Sequence, residues 1–234
     1  MKKNSFSEQR ILWTKMRLSG GREYQFLDPL SGREVRFPNK LHRDNFLVQF
    51  GEPDIVEILT EYPTVTVLVA GQTKTVIFDA TIRYLGDIYV LQEVKPKAVL
   101  NSPINYYGLV RQLTAQKIFA HAAQVKYELR TEADVYASPL LVENKRRMRQ
   151  ILTLHRHDDL REEIEYIKTM SSNQICTESF SVPDMPGAIG KQRMEAALYQ
   201  LYAAGRIHLN LKEARYGAIT SYASTVDGTS GSSS

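Results

Sequence analysis

Apolar positions change their period several times along the chain, and each change predicts an element. After Pro38, the residues Leu41, Phe46, Leu47 and Phe50 share one face at helical spacing, and Gly51 follows as a stop. From residue 55 to residue 94 the pattern becomes that of strands. Residues 65–69 are β-branched, Gly71-Gln72 is a turn, residues 74–84 alternate, Gly86-Asp87 is a second turn, and Ile88–Val94 is a third strand. Connections this tight predict an antiparallel meander. Residues 106–124 read as a helix, with Leu109, Leu113, Ile118 and Ala122 as buried candidates. Residues 125–130 read as a strand and Pro139–Leu154 as a helix. Helix, meander, helix and strand in that order predict an α/β core around a mixed sheet.

The ends of the chain follow other patterns. Residues 1–36 are basic and irregular, with turn signals at Ser19-Gly20-Gly21 and Asp28-Pro29, so an arm is expected there. The core is expected over residues 37–157. Beyond it, residues 158–170 form a charged amphipathic helix, residues 171–186 a polar connection and residues 190–204 a helix closed by Gly205. Short strands at residues 206–211 and 218–222 complete the outline of a winged-helix-like domain, residues 158–223. Residues 224–234 are rich in Ser and Gly and are expected to be a disordered tail.

Composition narrows the class. Hydrophobic residues are 43% and charged residues 24% of the chain, a balance that suits a soluble globular fold. The formal charge of +4 permits nucleic-acid binding without requiring it. One cysteine, Cys176, excludes an internal disulfide and a Cys-rich zinc site and suits a reducing cytoplasm. The polar start, Met1 to Arg10, has no signal-peptide core, and no apolar run nears the ~20 residues that span a bilayer. No membrane role is expected.

The chemistry-bearing stretch is Phe78-Asp79 followed by Leu91-Gln92-Glu93-Val94-Lys95. Asp79 reads as an acid in the middle of a strand. On the next strand, alternation sends Glu93 and Lys95 to one face and Gln92 and Val94 to the other. Two carboxylates on one face suit Mg²⁺ or Mn²⁺. A nearby ammonium orients or helps deprotonate a water and stabilises charge on a phosphate. A hairpin surface also carries such residues merely as solvated charges. Here they interrupt the apolar runs Val76-Ile77-Phe78 and Ile88-Tyr89-Val90-Leu91, where unpaired charge is costly. That context favours the core of a PD-(D/E)xK nuclease, an α/β restriction-endonuclease-like fold.

Four groups of residues, in order, resemble the TnsA endonucleases of Tn-seven-type transposons. They are Asn39-Lys40-Leu41-His42-Arg43-Asp44 with Pro53-Asp54-Ile55-Val56 and Glu61-Tyr62-Pro63; Phe78-Asp79 with Glu93-Val94-Lys95-Pro96; Leu129-Arg130-Thr131-Glu132-Ala133-Asp134 with Pro139-Leu140-Leu141-Val142-Glu143-Asn144; and Ala196-Ala197-Leu198-Tyr199-Gln200-Leu201 with Gly205-Arg206-Ile207-His208-Leu209-Asn210-Leu211. The resemblance implies an endonuclease that cuts the non-transferred 5′ strands at transposon ends in double-stranded DNA. It further implies two partners, a TnsB-like DDE transposase and a TnsC-like AAA+ ATPase, and work on the bacterial nucleoid in the cytoplasm. Asp79, Glu93 and Lys95 would be its catalytic set, with Mg²⁺ or Mn²⁺ on the carboxylates. The family usually places a metal-binding Glu on the first helix, where this chain has His42. Three accounts are open: an imidazole ligand, Asp44 as a substitute carboxylate, or a weakened site in an assembly subunit that bridges transposase, ATPase and DNA.

Other residues belong to the picture as candidates. Lys97 and the basic run of Lys145, Arg146, Arg147 and Arg149 are candidate phosphate contacts, and a solvated helix face is the plainer account of that run. The arm residues Lys2, Lys3, Arg10, Lys15, Arg17 and Arg22 could track DNA similarly, and Trp13 and Tyr24 could meet a partner. Gln116 and Lys117 follow the motif on the next helix. Gln92 reads as a structural polar residue, and His121, His155, His157 and His208 show no metal-ligand spacing.

Overall fold

The computed structural model describes residues 24–104, 106–173, 190–213 and 222–224. The chain begins there with strands β1 (Tyr24–Leu27) and β2 (Glu34–Phe37), paired antiparallel. Their turn is tied by Asp28, whose carboxylate accepts from the Leu30 amide at 2.9 Å and the Ser31 hydroxyl at 2.5 Å. Val35 and Phe37 alternate inward and are buried. The expected arm therefore needs correcting from residue 24 onward: this segment is a core hairpin. Four-residue strands among charges give too short an alternation to stand out. Residues 1–23, with the other arm candidates, lie outside the described residues.

Helix α1 (Lys40–Gln49) starts at Asn39, whose side chain accepts from the His42 amide, and ends before Gly51 at φ +65°. Strands β3 (Ile55–Thr60), β4 (Thr64–Val69), β5 (Gln72–Ile77), β6 (Ala80–Tyr84) and β7 (Ile88–Val94) follow. After α2 (Lys97–Leu100) and α3 (Tyr106–Ala122) comes β8 (Lys126–Arg130). The central sheet has the order β3-β6-β7-β8, antiparallel except for the parallel pair β7–β8. This is the expected α/β core with a mixed sheet. The meander differs in one respect. The run expected as a single strand over residues 74–84 breaks at Phe78-Asp79, so β5 pairs only with β4 and β6 joins the main sheet. Phe78 is fully buried at the break, and Asp79 precedes β6 instead of standing mid-strand.

Neighbouring residues of β7 separate the two helix layers. Gln92 reaches Asn45 and Gln49 of α1, while Glu93 reaches Gln112 and Gln116 of α3. Adjacent strand residues point to opposite faces, so α1 and α3 cover opposite faces of the sheet. Helix α3 buries Ala115, Gln116 and Ala120, whereas Ile118, expected inside, is 42% exposed and Ala122 is also exposed.

The remaining elements are α4 (Glu132–Val135), α5 (Pro139–Leu154), α6 (Arg161–Asn173), α7 (Lys191–Ala203) and the antiparallel ribbon β9 (Ile207–Leu209) with β10 (Tyr222–Ser224). The largest apolar cluster crosses the expected boundary at residues 157/158. It joins Phe37, Phe46 and Phe50 to Met148 of α5, Ile167 of α6, and Met194 and Tyr199 of α7. Among the described residues no helix is long and apolar enough to cross a membrane.

The α1–α5 contact gives a stability test. Gly32 and Gly51 share a left-handed φ, but a Cβ at Gly32 meets nothing within 4 Å while one at Gly51 collides with the Met148 methyl. Gly51→Ala is expected to cost about 1–3 kcal/mol and Gly32→Ala about 1 kcal/mol. Urea unfolding of both variants reads the difference; equal midpoints would mean that the Met148 methyl swings aside to admit the added carbon.

Candidate active site

The break before β6 puts Asp79 beside the C-terminal end of β7. Its Oδ2 accepts from the Val94 amide at 2.7 Å and lies 3.3 Å from His42 Nε2 and 3.7 Å from Lys95 Nζ. Burial alone would raise its pKa. The hydrogen bond from His42 and the Lys95 ammonium oppose burial and, with the Val94 amide, hold it below the ordinary carboxylate value.

Glu93 is fully buried. Its Oε1 accepts from Gln112 Nε2 at 2.7 Å and meets Lys95 Nζ, and its Oε2 accepts from Gln116 Nε2 at 2.6 Å. Gln116 is held in turn: its amide also donates to the Ile77 carbonyl, and its Oε1 accepts from Tyr127 OH at 3.1 Å. Burial, then the charge on Asp79, pushes the Glu93 pKa up to about 7 against the pull of Lys95 and Gln116. Lys95 is itself partly desolvated, which favours the neutral amine, yet Asp79 and Glu93 override this and raise its pKa. Lys95 is therefore an ammonium suited to stabilising negative charge, and a poor proton acceptor.

His42 comes from the first turn of α1. Asn39 Oδ1 accepts both the His42 amide, at 3.2 Å, and ring Nδ1, at 2.8 Å. That contact turns Nε2 toward Asp79, 3.3 Å from its Oδ2 and within reach of a hydrogen bond. Asp44 supplies no carboxylate to this site. It is fully buried away from the site, with Arg43 at 2.8 Å, Arg146 at 2.7 Å and Tyr136 OH at 3.0 Å on its oxygens.

The donor types, two carboxylates and an imidazole, suit Mn²⁺ or Mg²⁺. Among the described residues, however, no group of three or more His, Cys, Asp or Glu side chains forms a ready metal cage. The Lys95 ammonium contacts both carboxylates, so a cation would compete with it for the same oxygens. The cavity bordering His42, Asn45, Asp79 and Val94 measures about 20 Å³. That is room for a water and far below a small-molecule pocket. A substrate at this site must present its reactive group from the surface.

The other candidates fall differently. Lys97 is exposed beside the site. The expectation that Lys145 contacts DNA is corrected: it is fully buried, with Nζ 2.7 Å from the Phe50 carbonyl and 2.8 Å from Glu52, over the Tyr202 ring. Burial pushes its pKa down to about 8. Arg146 binds Asp44, Arg147 forms a two-pronged pair with Glu195, and the Arg149 guanidinium lies 4.4 Å over the Phe26 ring. The dense basic run is thus engaged by partners within the molecule, with Lys145 alone fully buried. Gln92 joins Asn45, Gln49 and Glu128 under the opposite face, as the alternation predicts. Asn39, Gln112 and Tyr127 were not foreseen. Their only signals were an N-cap three residues before His42 and the Gln112–Gln116 spacing along one helix face. No protein-family model matches this chain, and no curated protein matches its sequence.

The carboxylate pair can be read by titration. In metal-free protein the Glu93 carboxyl is expected to titrate near 7 by carbon NMR, lower in Asp79→Asn and higher in Lys95→Met. Since the folded value is the higher one, this proton's contribution to stability is full below the ordinary value and is lost as pH rises through about 7. A midpoint in the ordinary carboxylate range would mean that Glu93 is not withdrawn from water beside Asp79 as described.

Proposed function

We propose that this chain is a divalent-metal-dependent DNA endonuclease with a restriction-endonuclease-like core. In this reading it is a TnsA-like subunit that cuts the 5′ strands at transposon ends beside a TnsB-like DDE transposase and a TnsC-like AAA+ ATPase. The observation that carries it is the convergence of Asp79, Glu93 and Lys95 at one end of the central strands β6 and β7, met by His42 from α1. The order of helix, antiparallel strands, helix and parallel strand supports it further. The α6–α7 pair and the β9–β10 ribbon are compatible with a winged-helix-like docking domain.

Asp79, Glu93 and His42 are the residues that would hold Mg²⁺ or Mn²⁺. When bound, the ion supplies Lewis acidity and a more acidic water. The chain's own groups do the rest. Lys95 presents positive charge to the phosphate and, once displaced from the carboxylates, remains within reach of it. Gln112 and Gln116 fix both Glu93 oxygens, and Asn39 fixes the His42 ring. The narrow cavity suits a polymer that brings its phosphodiester to the surface. Lys97, exposed next to Lys95, is the remaining basic-residue candidate at the rim.

A second reading is an assembly subunit without cutting activity. Lys95 closing on both carboxylates favours it, because the ammonium already neutralises the charge a cation would seek. The test is strand-specific cleavage of a duplex carrying the element's ends, with Mn²⁺, transposase and ATPase. Asp79→Ala and Lys95→Ala are each expected to lower 5′-strand cutting at least about a hundredfold, and His42→Ala about tenfold or more. Unchanged cutting by Asp79→Ala would sink the assigned site. Normal assembly with no cutting by the wild-type protein would leave the assembly reading.

A further inference from the structure

Helix α3 serves the site with one face and leaves the other bare. Gln112 and Gln116 turn inward to Glu93, while Tyr107, Val110 and Ile118 fall along the outward face. Tyr107 is 83% exposed, and Ile104 and Tyr106 continue the patch at the helix start, with Val99 from α2 nearby in sequence. The Tyr106 and Tyr107 rings meet edge to face at 5.9 Å. Exposed apolar groups gathered on one helix face are a feature of interaction surfaces.

Charge says what would cover it. Helix α3 carries Arg111 and Lys117 and no Asp or Glu, whereas Lys95 and Lys126 on either side of it are already paired with Asp79, Glu93 and Glu128. Along α3 itself, Arg111 and Lys117 flank the apolar stripe; Arg111 donates to the neutral amide of Gln72 at 2.5 Å, so its charge is not cancelled there. An apolar stripe flanked by cations, on a helix without acids, is complementary to an apolar centre with an acidic rim. A second copy of this chain would set like charges against each other. Nucleic acid would satisfy the rim but leave Ile104, Val110 and Ile118 facing phosphates, which gain nothing from them.

We propose that the outward face of α3 is a docking surface for a protein partner that presents apolar side chains ringed by Asp and Glu. The surface lies on the helix that holds Glu93, so a bound partner would sit directly behind the candidate site. The inference does not depend on that site cutting DNA.

The test is site-specific photocrosslinking in the native host. Tyr107 is replaced by p-benzoylphenylalanine in the full chain, and the crosslinked peptide is identified by mass spectrometry. One protein is expected, joined through an apolar segment flanked by Asp or Glu. Arg111→Glu with Lys117→Glu is expected to lower the yield at least about tenfold. Reversing the partner's acids to Lys should restore it, which a misfolded variant would not allow. Crosslinks only to DNA, only to a second copy, or to nothing would overturn the proposal, as would a yield indifferent to charge reversal. Cleavage is not read in this experiment, so a failed nuclease assignment and a failed docking surface remain separate outcomes.

Discussion

Two carboxylates and one ammonium, largely withdrawn from water, set the terms for everything around them. Asp79 and Glu93 both contact Lys95, and Glu93 has no exposure at all. Like charges so close in a poor solvent cannot both ionise freely unless something offsets them. The chain offsets them with fixed donors as well as with Lys95. Val94 gives an amide to Asp79, and Gln112 and Gln116 give amides to Glu93. Each donor needs a rigid element behind it. That requirement accounts for the strand break at Asp79 and for the amides that α3 turns toward β7.

The half-buried Lys95 and the fully buried Lys145 show how much the surroundings matter. Lys95 faces two carboxylates and is held above the ordinary lysine pKa; Lys145 faces one and is pushed down to about 8. Lys145 closes a structural joint between α5, the end of α1 and Tyr202 of α7. Removing its partner would strand a buried charge, an expensive defect. Lys95 instead keeps some exposure to solvent between its two partners. One lysine therefore locks the fold together, and the other keeps a site neutral without closing it.

Much of this was legible in the sequence, and the failures have physical causes. Alternation along β7 separated Gln92 from Glu93 correctly, because period-two geometry leaves little freedom. The strand break at Phe78-Asp79 was hidden, because residues on both sides of it have equally strong β character. Arginines and lysines of α5 looked like a DNA-facing run because composition does not say which charges find acids elsewhere in the fold. Glu52, Asp44 and Glu195 lie far from them in sequence. The β1–β2 hairpin was missed for a related reason: its value lies in Phe37 meeting Phe46, a tertiary contact.

The histidine at position 42 is best understood through the same charge balance. Asp79 and Glu93 against Lys95 leave a single negative charge, already expressed as a proton held by Glu93 to about pH 7. A glutamate in place of His42 would add a third carboxylate within reach of Asp79 and force either protonation or a bound cation for the fold to close. An imidazole adds no negative charge. It lets the site fold around its own lysine, with Asn39 keeping Nε2 aimed at Asp79. The consequence is a site with less net negative charge than three carboxylates would give it. In the proposed nuclease reading the imidazole donor would favour Mn²⁺ over Mg²⁺, and metal preference is where the histidine's effect should be most visible.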